Sequence, residues 1–204
     1  MSPSDARTAP FAFGEAEARA AALAWVHRRW LASPALSRRA REGPIESVWV
    51  PFWLIDAHAV AHWEGPGLRG IIEMDFGGLS ICAEALADAA LMEALEPWPA
   101  RAFRPHNAQD LADRTVVRAT LSRDDAIALA GKRMERELLA AARRGQAAAT
   151  RERMRLLGVE YPREACEPVL LPLWRFEGHR FGRRWRIAIN GSTGKAAGHA
   201  AAAS

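Results

Sequence analysis

Two runs of this chain set a proline among apolar residues and a tryptophan two positions later. They are Val48-Trp49-Val50-Pro51-Phe52-Trp53-Leu54-Ile55 and Val169-Leu170-Leu171-Pro172-Leu173-Trp174-Arg175-Phe176. Their β-branched and aromatic content predicts extended backbone, and an internal proline excludes the middle of a helix. Proline has no N–H for a strand ladder, so its recurrence predicts the same edge or bulge geometry twice, with Trp53 and Trp174 projecting opposite to their neighbours. The segments ahead of the runs also correspond. Phe13-Gly14-Glu15-Ala16-Glu17-Ala18 parallels Leu121-Ser122-Arg123-Asp124-Asp125-Ala126, each opening a helical pattern after a hydrophobic residue. The expectation is an α+β fold of two helix-plus-β-hairpin units, residues 13–65 and 121–195, joined by a central β/α insert, 66–120. Chance similarity between two β-rich stretches is the alternative.

Residues 1–10, rich in Ser, Pro and Ala, are expected to be a flexible lead-in, 11–198 a single α+β domain with an antiparallel sheet, and 199–204 a flexible tail. From Glu15 to Leu31 the stripe Ala16, Ala20, Leu23, Ala24, Trp30 and Leu31 predicts a helix, acidic at its start and carrying Arg28 and Arg29 near its end. Pro34 stops it. A strand pair is expected from Ile45 through Trp63, then a turn at Gly65-Pro66-Gly67, a strand over Leu68–Phe76 and another over Leu79–Ala83. Glu84–Leu95 reads as helix and Arg114–Leu121 as a loose strand. The clearest helix follows, with Ser122 and Asp125 as a capping pair, Ile127, Met134 and Leu138 as the buried stripe, and Arg143-Arg144-Gly145 as the stop. A shorter helix is expected over Ala147–Leu157. Val169–Phe176 and Arg184–Ile189 predict a hairpin, followed by a turn at Asn190-Gly191.

A chain of 204 residues, 50% hydrophobic and 25% charged, can bury roughly 70% of its unfolded surface, so its core needs no disulfide or metal support. Composition argues equally against disorder. Cys82 and Cys166 share no CxxC motif and are too few for a closed four-cysteine site, which suits a reducing compartment. The apolar run Val48–Ile55 is far shorter than the ~20 residues of a membrane span. No basic segment followed by an uninterrupted apolar one opens the chain, so cytoplasmic location is expected.

The formal charge is +4, unevenly placed. Gly70–Ala100 has no Lys or Arg but six carboxylates; Arg143, Arg144, Arg151, Arg153 and Arg155 form one basic stretch, and Arg180, Arg183, Arg184, Arg186 and Lys195 another. Such runs are read either as solvated faces pairing within the molecule or as a polyanion surface.

Tests for chemistry return little. Gly191-Ser192-Thr193-Gly194-Lys195 fails as a phosphate loop, because Ile189 stands where the first glycine is needed and Ala196 where Ser or Thr should follow the lysine. A tight turn accounts for it. His58 and His62 have the spacing for a metal on a helix, but on a strand four residues span ~13 Å. Asp56, His58 and Cys82 make only an unsupported triangle. No metal or cofactor is expected, and no catalytic residue is assigned.

The quoted segments also carry a likeness. Val48-Trp49-Val50-Pro51-Phe52-Trp53-Leu54-Ile55-Asp56-Ala57, with Leu95-Glu96-Pro97-Trp98, Leu170–Trp174 and Ile189-Asn190-Gly191-Ser192-Thr193-Gly194-Lys195, resembles the body of bacterial zinc-ribbon proteins bearing an N-terminal ribbon of the transcription-factor-IIB type. Members of that group usually begin with paired CxxC motifs and many end in a hydrophobic anchor; this sequence contains neither. The resemblance implies no established role for the ribbon-less body. Helicase or polymerase labels within the group go with the ribbon and are not carried over.

The resulting expectation is a non-catalytic cytosolic interaction, adaptor or regulatory protein with a protein partner. The alternative is a nucleic-acid-associated protein, of replication or transcription, using the Arg-rich hairpin 175–186. The candidate surface is Trp53, Trp174, Arg175, Arg183, Arg184, Trp185, Arg186 and Lys195, with the tryptophans as stacking platforms or, alternatively, core. Oligomeric state is left open.

Overall fold

The computed structural model describes residues 6–30, 34–84, 87–105, 111, 113–180 and 183–200. The elements in chain order are β1 Arg7–Thr8, α1 Glu15–Trp30, α2 Pro34–Glu42, β2 Ile45–Gly65, β3 Leu68–Cys82, α3 Ala89–Ala94, a 3₁₀ turn Ala100–Ala102, β4 Arg104–Pro105, β5 Thr115–Val116, α4 Arg123–Ala142, α5 Ala148–Arg153, β6 Arg155–Arg180, β7 Arg183–Asn190 and β8 Ala196–Ala200. Among the described residues, eight strands form one mixed sheet ordered β3-β2-β6-β1-β4, with β5 beside β2 and β7 between β6 and β8. Pairing is antiparallel in β6·β7, β7·β8 and β1·β4, and parallel in β1·β6 and β2·β5. The fold class is α+β.

The chain divides into two compact units. The first comprises Met1–Phe52, Cys82–Leu121 and Pro168–Ser204, and the second Trp53–Ile81 and Ser122–Glu167. In the first, α1 buries Ala18, Ala22, Trp25 and Val26 against Trp174, Phe176, Trp185, Ile187 and Ile189 of β6 and β7. In the second, α4 buries Ala130, Met134 and Leu138 against Ile55, Ala57, Ala59 and Ala61 of β2 and Phe76 and Leu79 of β3. Each unit thus joins a helix from one half of the chain to a hairpin from the other.

Several expectations change in detail. The α1 stripe is rotated from the Ala16–Ala20–Leu23 reading: Ala16, Ala20 and Ala24 are exposed, and the face carrying Trp25 and Val26 is buried. Alanines surround this helix on all sides, so its two large side chains decide which face turns inward. On α4 the stripe is Ala126, Ala130, Met134 and Leu138, with Ile127 half-buried. The strand pair expected before Gly65 is one 21-residue strand, and β3 is likewise continuous to Cys82. From Ala6 onward the expected lead-in is built into the fold, because β1 lies parallel to Val169–Leu170 and Ala6, Thr8 and Ala9 are buried. The expected tail begins inside β8.

Neither proline run lies open to solvent. Pro51 and Pro172 are both buried, and each carbonyl accepts a 2.8 Å hydrogen bond from the residue just after the returning strand, Ala83 N for Pro51 and Gly191 N for Pro172. A proline can serve a ladder this way, through its oxygen alone.

Candidate functional site

Alternation along β6 and β7 sorts the hairpin 175–186 into two faces. Trp174, Phe176, Trp185, Ile187 and Ile189 face α1 in the core. Trp53 and Trp174 are each 7% exposed and Trp185 5%. These tryptophans therefore offer no stacking platform: the Trp174 ring meets the edge of Phe11 at 5.5 Å and its Nε1 donates to the Phe13 carbonyl.

The opposite face holds the charges, and they are paired. Arg175 Nη2 lies 2.7 Å from Glu84 Oε2, both side chains about a quarter exposed. Glu177 and Arg186 are directly opposite in the ladder, with Arg186 Nε 3.0 Å from Glu177 Oε1. That contact falls outside hydrogen-bond geometry and acts through charge. Arg186 is in turn opposite His199 of β8, whose Nε2 lies 3.3 Å from Asp88 Oδ2. The other oxygen of Asp88 caps α3 by accepting from Leu91 N at 2.9 Å. Glu84, Asp88, Arg175, Glu177 and Arg186 border a cleft of about 270 Å³ beside α3. Lys195 Nζ donates to the Glu96 carbonyl. The side chains of Arg183 and Arg184 lie outside the described residues.

Cys82 stands beside this cluster. Burial pushes its thiol up to about 11; the charge of Glu84 pushes the same way, while a hydrogen bond with the Glu84 backbone and the charge of Arg175 pull it down. A thiol that stays protonated at neutral pH is a poor nucleophile. Cys82 does not belong to the second unit, which holds Asp56 and His58. Asp56 Oδ1 accepts from Gly78 N at 2.7 Å, and His58 Nδ1 meets Asp75 Oδ1 at 2.8 Å. Glu73 approaches the other ring nitrogen, at 3.9 Å. Among the described residues no three His, Cys, Asp or Glu side chains are gathered for a metal.

The loop after β7 is a turn, as expected from its sequence. Asn190 Oδ1 accepts from Ser192 N and Thr193 N, its Nδ2 donates to the Leu95 and Pro97 carbonyls, and Gly194 takes φ 73°. The backbone amides that a phosphate loop would present are satisfied by this side chain.

A different arrangement closes one end of the second unit. Arg143-Arg144-Gly145 stops α4, with Gly145 at φ 77°, and α5 then packs on the β2–β3 turn. Gly65 permits that approach, since a Cβ there would stand 2.9 Å from Met154 Cγ. Arg143 Nη2 donates to the Met154 carbonyl at 2.9 Å. The turn and α5 border an open cavity of about 590 Å³, to which Arg69 and Arg153 both contribute. Its one carboxylate is already engaged: Glu64 Oε1 accepts from Arg155 Nε at 2.8 Å and Nη2 at 2.5 Å, and Arg69 Nε lies 4.0 Å from Glu64 Oε2. Arg144, Arg151 and Arg153 are exposed, and their side chains have no ion-pair partner among the described residues.

The sequence displays this basic stretch as plainly as 175–186 and does not rank the two. Residues 143–155 hold five arginines against Glu152 alone. What the sequence could not show was that an acid distant along the chain pairs with Arg175, while none of the described acids pairs with Arg144, Arg151 or Arg153.

In comparisons with known proteins, no family model, no curated protein and no solved structure matches the chain. Among the described residues no helix is long and apolar enough to cross a membrane.

Proposed function

We propose that the chain is a non-catalytic interaction protein that docks a polyanionic partner through the arginine-rich end of its second unit. The carrying observation is the contrast between two sets of arginines. Arg175 and Arg186 are paired with Glu84 and Glu177, so recruiting them to a partner costs existing ion pairs. Arg144, Arg151 and Arg153 are exposed and form no ion pair among the described residues, so binding an anion neutralises them without breaking one of those pairs. The nucleic-acid alternative thus moves away from the 175–186 hairpin. The protonated thiol of Cys82 supports the non-catalytic part, and two free thiols fit a cytoplasmic setting.

We also read the two helix-plus-hairpin units as products of one internal duplication. The matching carbonyl bonds at Pro51 and Pro172 and the similar helix-on-hairpin cores support it.

Heparin chromatography tests the functional reading. The intact chain should be retained, and the triple variant Arg144→Ala, Arg151→Ala, Arg153→Ala should elute at clearly lower salt, while Arg175→Ala elutes with the parent. Equal elution of the triple variant and the parent refutes the docking surface.

A further inference from the structure

We infer that the polyanion is double-stranded nucleic acid, gripped by its phosphates without reading of bases. The inference rests on the docking reading above and names its partner. Guanidinium groups are suited to this task, since each presents a planar fork of donors to phosphate oxygens and stays charged at any accessible pH. Here they come from separate segments of the second unit: Arg69, after the β2–β3 turn, and Arg153, on α5, border the cavity, while Arg151 lies on α5 and Arg144 just past the end of α4. Such a spread of charge matches a backbone whose phosphates recur along a length rather than one isolated anion.

The same region lacks what a single strand requires. Single-strand sites stack bases on exposed aromatic rings, and among the described residues none bordering this cavity is aromatic. The aromatic side chain beside the turn, Trp63, lies on Gly70, where an added Cβ would come within 2.6 Å of the ring. One ring face is therefore covered by its own hairpin. The projecting tip, Pro66-Gly67, is small, and Gly67 has nothing within 4 Å of where a Cβ would stand. It presents backbone to a groove, with arginines behind it placed to reach phosphates. Among the described residues no Asn or Gln borders the cavity; its two arginines, which elsewhere also read guanine, are assigned here to phosphates, so duplexes of unrelated sequence should bind alike.

The test measures affinity of the intact chain for a short labelled DNA duplex, for a single strand of equal length and for anionic lipid vesicles, over a range of salt. Neutralising four arginines gives a slope of log K against log salt of about −3.6, and hence a loss of roughly a hundredfold between 50 and 200 mM. Replacing Arg153 with alanine should weaken duplexes of unrelated sequence equally and reduce the slope by about 1. The exposed triple variant should keep the parent's thermal midpoint and bind far more weakly, with a slope reduced to about −0.9. A single strand bound as tightly as the duplex, vesicles bound while the duplex is not, or a duplex affinity unmoved in the triple variant would each overturn the inference. Heparin retention that depends on these arginines, without duplex binding, overturns the nucleic-acid partner and leaves the docking surface standing. Retention indifferent to them overturns both.

Discussion

Asn190 Nδ2 donates to the Leu95 carbonyl oxygen at 3.1 Å, and both residues are wholly buried. That bond ties the end of β7 to the turn that closes α3, while Asn190 Oδ1 accepts from Ser192 N and Thr193 N at 2.9 and 3.1 Å. Replacing Asn190 with alanine strands the buried Leu95 carbonyl and the Ser192 amide, while Thr193 N keeps the Asn190 backbone oxygen at 3.3 Å. The expected loss is about 3 kcal/mol, since each unsatisfied buried group costs about 1–3 kcal/mol and water can reach part of the loop. Urea unfolding measures it, and a loss below about 0.5 kcal/mol would contradict the network.

Cys82 should give a high-pH signature. Its thiol binds a proton more tightly in the folded chain, with its pKa raised from 9.0 to about 11, chiefly by burial. The associated stabilisation is whole below pH 9 and is lost as pH rises through the window to 11. In a Cys166→Ser background, ultraviolet titration of the remaining thiolate should show a midpoint near 11. Glu84→Gln should lower that midpoint and Arg175→Ala should raise it, because the two charges act in opposite directions. A midpoint near 9 in the folded chain would count against the buried position.

Gly198 is required by packing. A Cβ there would stand 2.7 Å from the Arg186 carbonyl oxygen and 3.0 Å from Trp25 Cη2. The first neighbour is backbone of an adjacent strand and cannot swing aside. Gly198→Ala should therefore destabilise by about 1–3 kcal/mol, the usual cost of overpacking. A neutral result in thermal unfolding would show that β8 can lift from β7 freely.

Cutting the chain between Thr120 and Leu121 separates each helix from the hairpin it covers. The segment 1–120 keeps α1 and the β2–β3 hairpin, and 121–204 keeps α4 and the β6–β7 hairpin, so both cores are broken. Neither segment alone should unfold cooperatively, and mixing them should restore helical circular dichroism and a cooperative transition. A cooperative transition in either isolated segment would contradict the exchange of helices between halves.

Local chemistry was legible in this sequence and long-range pairing was not. The start of α4 could be read because its cap is local: Ser122 Oγ accepts from Asp125 N at 3.1 Å, three residues away. The Asn190 turn was readable for the same reason. The two-residue strands β1, β4 and β5 were beyond reach, since so short a segment has no periodicity and exists only through its partners. The uninterrupted length of β2 was hidden because Pro51 looks like a break until Ala83 arrives to use its carbonyl. Arg175 and Glu84, like Arg155 and Glu64, are 91 residues apart, so no window on the sequence separates paired arginines from unpaired ones.

The exchange of helices also orders events during synthesis. The second unit is complete once residue 167 has emerged, and α4 can settle on the β2–β3 hairpin while the rest of the chain is still being made. The first helix has no such option. Its seat lies on β6 and β7, and the bond from Trp174 Nε1 to the Phe13 carbonyl, just ahead of α1, spans 161 residues. At about 5–20 residues per second, α1 spends on the order of ten seconds with Trp25 and Val26 uncovered. The helix translated first docks last, and over that interval a nascent chain of this protein exposes a hydrophobic helix that a chaperone or a neighbouring copy can capture.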